Sequence, residues 1–421
     1  MNGDFKEVYA DNMEILLPES SQLQKDLIYV RKEQREGNLY HQPVTLTGEH
    51  GGTYAGGANT GTAYALNAPI AANSKDAQIQ GTEFMLRATM AIGAAAKAAS
   101  STAAFVDATE YMVENMMESA SKRLEIALIY GSVAGGIGAA GAGSTDSGAG
   151  VLTAIITVGA WAAGIWSGLE NCPLDCYNNA GTKLNTTQQL LVSTVDADTR
   201  TVVLTGANAD TAAIAAAAVG GTGANFFFLG AYGNEFAGLD KILTNTGTLF
   251  NISASTYGLW KSNVLDAGNT PLSMPTLMKA ISRAVSRGLK EKVKAYVSVQ
   301  QFNDLNNELS ALRRLDSSYK KGQGENGQET ISYTYTNGRV EIVPHLFVKG
   351  ADTFVIPTKR ARRIGSTELT FNLGGMDGNN AFFTPMPNNA GYELRCFWDQ
   401  GLIISHPARC VKVSNVLSSA A

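Results

Sequence analysis

Residues 103–130 read AAFVDATEYMVENMMESASKRLEIALIY, with neither proline nor glycine. Phe105, Met112, Met116, Leu124 and Leu128 recur near helical spacing, which predicts one continuous helix with Leu124 on its buried face. Gly131 follows directly and supplies a stop. At the standard rise such a helix spans roughly 40 Å, longer than most globular helices. It suits a spine on which the rest of the fold is built.

Upstream the pattern turns extended. From Tyr40 to Gln80, the phrase Pro43-Val-Thr-Leu-Thr47 gives way to a Gly-rich stretch from Gly48 to Gly61, then to Tyr64, Leu66 and Ile70 among small and polar neighbours. This predicts a long hairpin with too few large apolar residues to hold a core. So long a segment needs support from elsewhere, and an adjacent subunit would supply it. Further upstream, Ser20 or Ser21 caps a helix that Leu23, Leu27 and Val30 carry to about Glu36, where Gly37-Asn38 stops it. That helix packs on its own subunit or, as an arm, on a neighbour.

Downstream of the spine, a glycine-rich turn from Gly131 to Gly150 leads into a β-rich subregion. Its strands are expected at Val151–Val158, at Leu190–Val195 and Thr201–Leu204 around the turn Asp196-Ala-Asp198, and at Asn225–Leu229. An α/β stretch follows, with helices at Ser273–Leu289 and Gln301–Leu315 around a strand at Ala295–Val299. Glu329–Val343 reads as a hairpin about Asn337-Gly338, a type I′ signal. Closing strands are expected at Thr353–Ile356, Glu393–Trp398, Leu402–Ile404 and Cys410–Val413.

Composition narrows the role. A chain of 421 residues with 44% hydrophobic content can bury a core large enough for two or three lobes. Its 33 basic and 37 acidic residues leave a net charge of −4, whereas tight nucleic-acid binders carry a positive excess. Charged residues make up only 17% and glycines number 44, a surface suited to contact with further copies of itself. Four cysteines in this length are no disulfide scaffold and fit a reducing compartment. The acidic start Met-Asn-Gly-Asp-Phe-Lys-Glu lacks the pattern of a secretion signal. A start at Met1 with a helix soon after also speaks against prior removal of a large scaffold segment. Ser147–Leu169 holds no charge and is long enough to span a membrane, but recurrent glycines, polar Thr153 and Thr157, and the lack of flanking basic clusters favour a buried strand and loop.

Motifs for chemistry do not hold together. Gly136-Ile-Gly138-Ala-Ala-Gly141 matches a dinucleotide fingerprint in letters, but a helix precedes it and no acidic residue stands where the ribose would need one. His41, His50, His345 and His406 are scattered. Cys172 and Cys176, with Cys396 and Cys410, are spaced poorly for zinc and read as buried thiols. Asp196 and Asp198 belong to a polar turn. The basic run Lys359-Arg-Ala-Arg362-Arg363 is either a solvated strand end or a contact for DNA or a neighbour's carboxylates.

Local phrases also occur in a telling order: Gly230-Ala-Tyr-Gly-Asn-Glu-Phe-Ala-Gly-Leu-Asp240, Thr246-Gly-Thr-Leu-Phe250, Tyr257-Gly-Leu-Trp260 and Tyr296-Val-Ser-Val-Gln300. Asp304-Leu-Asn306, Leu312-Arg-Arg314 with Asp316-Ser-Ser-Tyr319, and Gly391-Tyr-Glu-Leu-Arg395 with Asp399-Gln400 complete the series. In these phrases and in the order of its parts, the chain resembles tailed-bacteriophage major capsid proteins of the Hong Kong phage type. The resemblance implies an α+β fold with an N-terminal arm (1–39), an extension loop (40–85), and an axial α/β domain (236–381). It also implies a peripheral domain carrying the spine helix (86–235 and 382–421), with a β-rich insertion over about 151–229. It implies a structural coat subunit with no catalytic, cofactor or metal residue, assembling as hexamers and pentamers of an icosahedral head in the bacterial host cytoplasm. Further partners would be packaged double-stranded DNA, held non-specifically, and portal, scaffolding and decoration proteins, with no membrane. Inter-subunit contacts are expected at Leu23, Leu27, Thr47, Tyr54, Tyr64 and Lys75. Lys75 is the loop's one lysine, but no asparagine partner is identifiable, so no covalent cross-link is expected. The alternative is another self-assembling protein, a tail-tube or surface-array subunit.

Overall fold

The computed structural model describes residues 21–31, 39–56, 63–91, 102–313, 331–335, 338–371 and 383–418. The spine helix runs Thr102–Tyr130. Met112, Met116, Ala120, Leu124 and Leu128, four apart along one face, are all buried. The first three meet Met90, Leu394 and Cys396 on a sheet, while Leu124 and Leu128 enter the main core. Each large side chain buried in this way contributes about 1.5–3 kcal/mol. The helix ends as expected at Gly131, whose carbonyl accepts from Gly238 N at 2.9 Å. A Cβ on Gly131 would collide with Phe236 O and Ala127 O, so only glycine fits this approach. The side chain of Phe105 lies outside the described residues.

The sheet beneath the spine has five strands. The fourteen-residue strand Gly391–Ile404 pairs antiparallel with Thr82–Ala91 on one side, and with Thr384–Pro385 and Ala361–Thr370 on the other. The strands expected separately at Glu393–Trp398 and Leu402–Ile404 are therefore one, because Gly401 stays paired with Ile364. A second, six-stranded sheet runs in the order Asn263–Thr270, Val411–Val416, Thr353–Ile356, Val293–Val297, Gly338–Pro344, Ile331–Tyr335. Helix Met274–Ser286 packs on it through Leu277, Ala280, Ile281 and Ala284. Ser273 caps that helix, and Leu289 N closes it on Ala284 O. Helix Val299–Arg313 is the second of this lobe. The hairpin Ile331–Tyr335/Gly338–Pro344 forms, but Tyr335 stands opposite Gly338, which puts Gly338 in the strand and not in the turn as expected; residues 336–337 lie outside the described residues.

These sheets do not follow the expected division at 381/382. Ala361–Thr370 belongs to the sheet under the spine, whereas Val411–Val416 lies inside the six-stranded sheet, between Asn263–Thr270 and Thr353–Ile356. The return of the chain thus ties the two lobes together twice.

The β-rich insertion closes on itself. Neighbouring strands run Asn225–Phe228, Pro173–Tyr177, Leu190–Asp196, Thr201–Thr205, Val151–Ile155. Gly138–Ala139 pairs with Asn225–Phe226, and the bridge Ala140–Ile156 with the bond Thr157 N to Ala139 O (3.0 Å) joins the two ends. The result is a small barrel that begins at Gly138 rather than Val151 and leaves few open edges. Alternate residues Leu152/Ala154, Leu174/Cys176, Leu190/Val192 and Val202/Leu204 are at most 1% exposed and fill it. Helix Asn208–Val219, absent from the sequence reading, packs against strand Val151–Ile155 and buries Ile214. The uncharged stretch 147–169 is a strand, a 3-10 turn and the short helix Ala163–Trp166. Among the described residues, no helix is long and apolar enough to cross a membrane.

Candidate assembly surfaces and their anchoring

The hairpin pairs Leu39–Thr45 antiparallel with Ser74–Gln80, in register from Leu39–Gln80 to Thr45–Ser74. Its base, contrary to expectation, has a core. Tyr40, Leu46, Ala77 and Ile79 are buried against Ile252, Trp260, Ile364 and Ile403, and Tyr40 OH donates to Asp399 Oδ2 at 3.2 Å. Beyond Leu46 the description fits the sequence reading. The two arms of the loop are held there by polar links such as His50 N to Ile70 O (3.0 Å), Asn73 N to Thr47 Oγ1 (2.7 Å) and Asn67 Nδ2 to Gly52 O (2.9 Å). Tyr54 is 101% exposed, Leu66 78%, Ile70 56% and Tyr64 52%. Lys75 is exposed and Thr47 half-buried. Apolar side chains gathered on a segment without its own core mark a contact surface.

Leu23 and Leu27 behave differently. Each is 1% exposed and sits in the main core, which leaves neither a surface for a neighbour and corrects that expectation. The helix expected to run to Glu36 is confined to Gln22–Asp26, and Ile28–Arg31 is a strand, parallel to Arg362–Gly365. The β-favouring Ile28, Tyr29 and Val30 meet an open strand edge there, which outweighs helical spacing. The expected stop at Gly37-Asn38 lies outside the described residues.

This N-terminal segment is clasped from three sides. Glu125 of the spine accepts from Leu23 N (2.6 Å), Gln24 N (3.1 Å) and His345 Nε2 (2.9 Å). Asp26 accepts from Lys294 Nζ and Tyr296 OH of the six-stranded sheet, each at 2.6 Å. Arg363 Nε donates to Leu27 O at 3.3 Å from the sheet under the spine.

A second buried network lies where the spine ends. Lys412 pairs with Asp240 and, at 3.0 Å, with Asp352, to which Tyr130 OH donates at 3.2 Å. Lys349 donates from its backbone to Tyr130 OH (2.7 Å) and from Nζ to Gly136 O (2.6 Å). Burial pulls the Lys349 pKa down to about 8 and pushes that of Asp352 up, against the opposing pull of Lys412. Removing one member of such a set strands the others unpaired. Sequence reasoning named several of these residues but foresaw none of these pairings. The signal was slight: Glu125 is the one charge in the apolar run Leu124–Tyr130.

The remaining motifs resolve into packing. Gly136 follows the helix, with φ +50 and no room for a Cβ beside Phe226 O, so close approach explains it without a nucleotide. The four cysteines are free and buried in separate places, with burial pushing the Cys396 thiol up to about 11 and those of Cys176 and Cys410 higher. Among the described residues, no group of three His, Cys, Asp or Glu is placed to hold a metal. His41 pairs with Asp76, and His406 bonds Ser405 Oγ at 3.0 Å. In the basic run, Arg363 is buried and Arg360 is paired with Glu291, so only Lys359 and Arg362 present open charge.

No family model and no curated protein matches this sequence. Solved structures do. The chain is similar to a subunit of the cyanophage A-1(L) capsid, at 9% identity over 97% of this chain and 95% of that one, with a TM-score of 0.55. It is similar also to the capsid subunit of an empty GTA particle, at 7% identity over 97% and 95%, with a TM-score of 0.50. Identities this low speak to the fold. Matched nearly end to end, this protein has the fold of those two capsid subunits.

Proposed function

We propose that the protein is the major coat subunit of a tailed-phage head, a structural rather than catalytic role. The observation that carries this is the hairpin, whose distal half exposes Tyr54, Tyr64, Leu66 and Ile70 on a segment that its own subunit does not cover. Neighbouring copies would cover it, with Thr47 and Lys75 at the edges of the contact. Subunits would form hexamers and pentamers of a closed shell around double-stranded DNA, aided by portal, scaffolding and decoration proteins, in the cytoplasm of a bacterial host. A net charge of −4 neither supports nor excludes loose, non-specific contact with packed DNA.

The test is negative-stain electron microscopy of the protein expressed alone at high concentration, with size-exclusion chromatography of the same sample. Closed shells, curved sheets or rings of five or six are the expected result. Straight tubes or flat arrays would sink the coat reading in favour of a tail-tube or surface-array protein.

A further inference from the structure

Beside the hairpin base lies a cleft of about 490 Å³ whose charged lining is of one sign. Arg287, Arg360, Arg362 and Arg409 face it, and no carboxylate does. Glu291 holds Arg360 (2.6 Å) and Arg409 (3.3 Å) from behind, and Arg287 is fixed by Lys261 O at 3.1 Å. Arg362 is exposed, and its side chain has no hydrogen bond or ion pair among the described residues. Even counting Glu291, four guanidinium groups leave an excess of three positive charges here, in a chain whose net charge is −4.

The opposite wall is residues 42–46 of the hairpin, five in succession. Successive side chains of a strand point to opposite faces, so a wall of consecutive residues meets the cleft along the strand's edge. Among the described residues, Leu39–Thr45 is paired on one side only, by Ser74–Gln80. Leu259 and Trp260 add apolar surface. Guanidinium forks match carboxylates, and an open strand edge matches polypeptide backbone, so the chemistry asked for is an acidic peptide with apolar side chains.

The chain contains one. Residues 1–20, outside the described part, carry Asp4, Glu7, Asp11, Glu14 and Glu19 against Lys6 alone, interleaved with Phe5, Val8, Tyr9, Ile15, Leu16 and Leu17. The other segments outside the described residues, 32–38, 57–62, 92–101, 314–330, 336–337, 372–382 and 419–421, are each within one charge of neutral in their side chains. The tract joins the described chain at Ser21, seven residues before Ile28, which lies in register beside Arg362 of the cleft. At about 3.3 Å per residue it reaches up to roughly 66 Å, enough to fold back to its own cleft.

We propose that this arginine cleft is a docking site for the acidic tract of residues 1–20 of the same chain. The proposal does not depend on shell formation, so it stands or falls separately from the coat reading. The test uses the full chain with the photoreactive residue benzoyl-phenylalanine in place of Phe5 or Tyr9, irradiated as a mixture of isotopically light and heavy protein and mapped by mass spectrometry. Cross-links to residues 42–46 or to Leu259 and Trp260 are expected. Same-isotope pairs without light–heavy pairs are expected, and light–heavy pairs in statistical proportion would overturn the proposal by making a second copy the donor. The double variant Arg287→Glu and Arg362→Glu, at two exposed positions, should keep the thermal midpoint and lower the cross-link yield at least ten-fold, while Lys279→Glu, outside the cleft, leaves it unchanged. Cross-links elsewhere, or a yield indifferent to the double reversal, would overturn the proposal. So would protection of Arg287 and Arg362 from chemical modification by a short DNA duplex while the tract cross-links elsewhere, which would assign the cleft to phosphate.

Discussion

The barrel and the hairpin are both antiparallel β-structure, yet they solve opposite problems. The barrel, from Gly138 to Phe228, closes its ring of strands and fills it with side chains such as Leu152, Leu174, Val202 and Leu204, each fully buried. The hairpin buries four apolar residues at its base and exposes four beyond it. The first region is complete within one subunit. The second is stable at its root and unfinished at its tip, and the unfinished part is where a neighbour would add what the chain lacks.

That contrast can be broken at several points. The largest effect is expected from Leu124→Asp, which puts an unpaired charge where the spine enters the core beside the barrel. It should cost roughly 4 kcal/mol or more and abolish the cooperative thermal transition; normal particles from this variant would show that the spine face is misassigned. Leu204→Ala in the barrel should cost about 2–5 kcal/mol in denaturant titrations. A cost near zero would mean the barrel is less tightly filled than described.

Beside Ser132, just past the end of the spine helix, Glu235 sharpens the picture through pH. Burial raises its pKa from the ordinary 4.5 to about 7, against the backbone N–H of Ser132 and the charge of Arg123. The folded state therefore holds a proton that the unfolded chain releases, and stability should fall as pH rises from about 4.5 to about 7. Glu235→Gln should remove that decline, a difference of about 1–2 kcal/mol at pH 8 allowing for partial exposure, measured by denaturation midpoints at pH 5 and pH 8. An unchanged pH profile would show that the carboxyl is solvated.

The hairpin tip should respond in the opposite way. Deleting Gly48–Ala72 is expected to change subunit stability by less than about 1 kcal/mol, since the loop brings little core, yet to abolish assembly by sedimentation. A lost melting transition would mean the tip supports its own subunit. Smallest of all, Leu66→Ser should leave the subunit within about 0.5 kcal/mol of wild type while slowing assembly. Unaltered assembly would remove Leu66 from the contact.

Much of the molecule was legible wherever burial follows a local period. The spine stripe Met112–Leu128, the cap at Ser273, the hairpin near Asn337-Gly338 and the strands at Leu190 and Thr201 all advertise themselves within a few residues. Helix Asn208–Val219 escaped because an alanine-rich run shows little contrast between its faces. The N-terminal helix was overextended because Leu23, Leu27 and Val30 keep helical spacing while the strand partner of Ile28–Arg31 lies more than 330 positions away. Of the expected contact residues, Tyr54 and Tyr64 are in the open as the loop's composition suggests, whereas Leu23 and Leu27 are packed inside.

By itself the sequence determined the periods: one long helix, one coreless loop tip, a β-rich middle and an α/β lobe, each set by the alternation of large apolar and polar side chains along neighbouring residues. Only the tertiary structure decided closure of the barrel, placement of Val411–Val416 in the six-stranded sheet, and the pairing of Glu125 with His345 and of Lys412 with Asp240 and Asp352. These depend on strand registers and buried charges brought together from separate elements, up to 220 positions apart for Glu125 and His345. A local pattern states that a residue is buried, and only the assembled fold states against what.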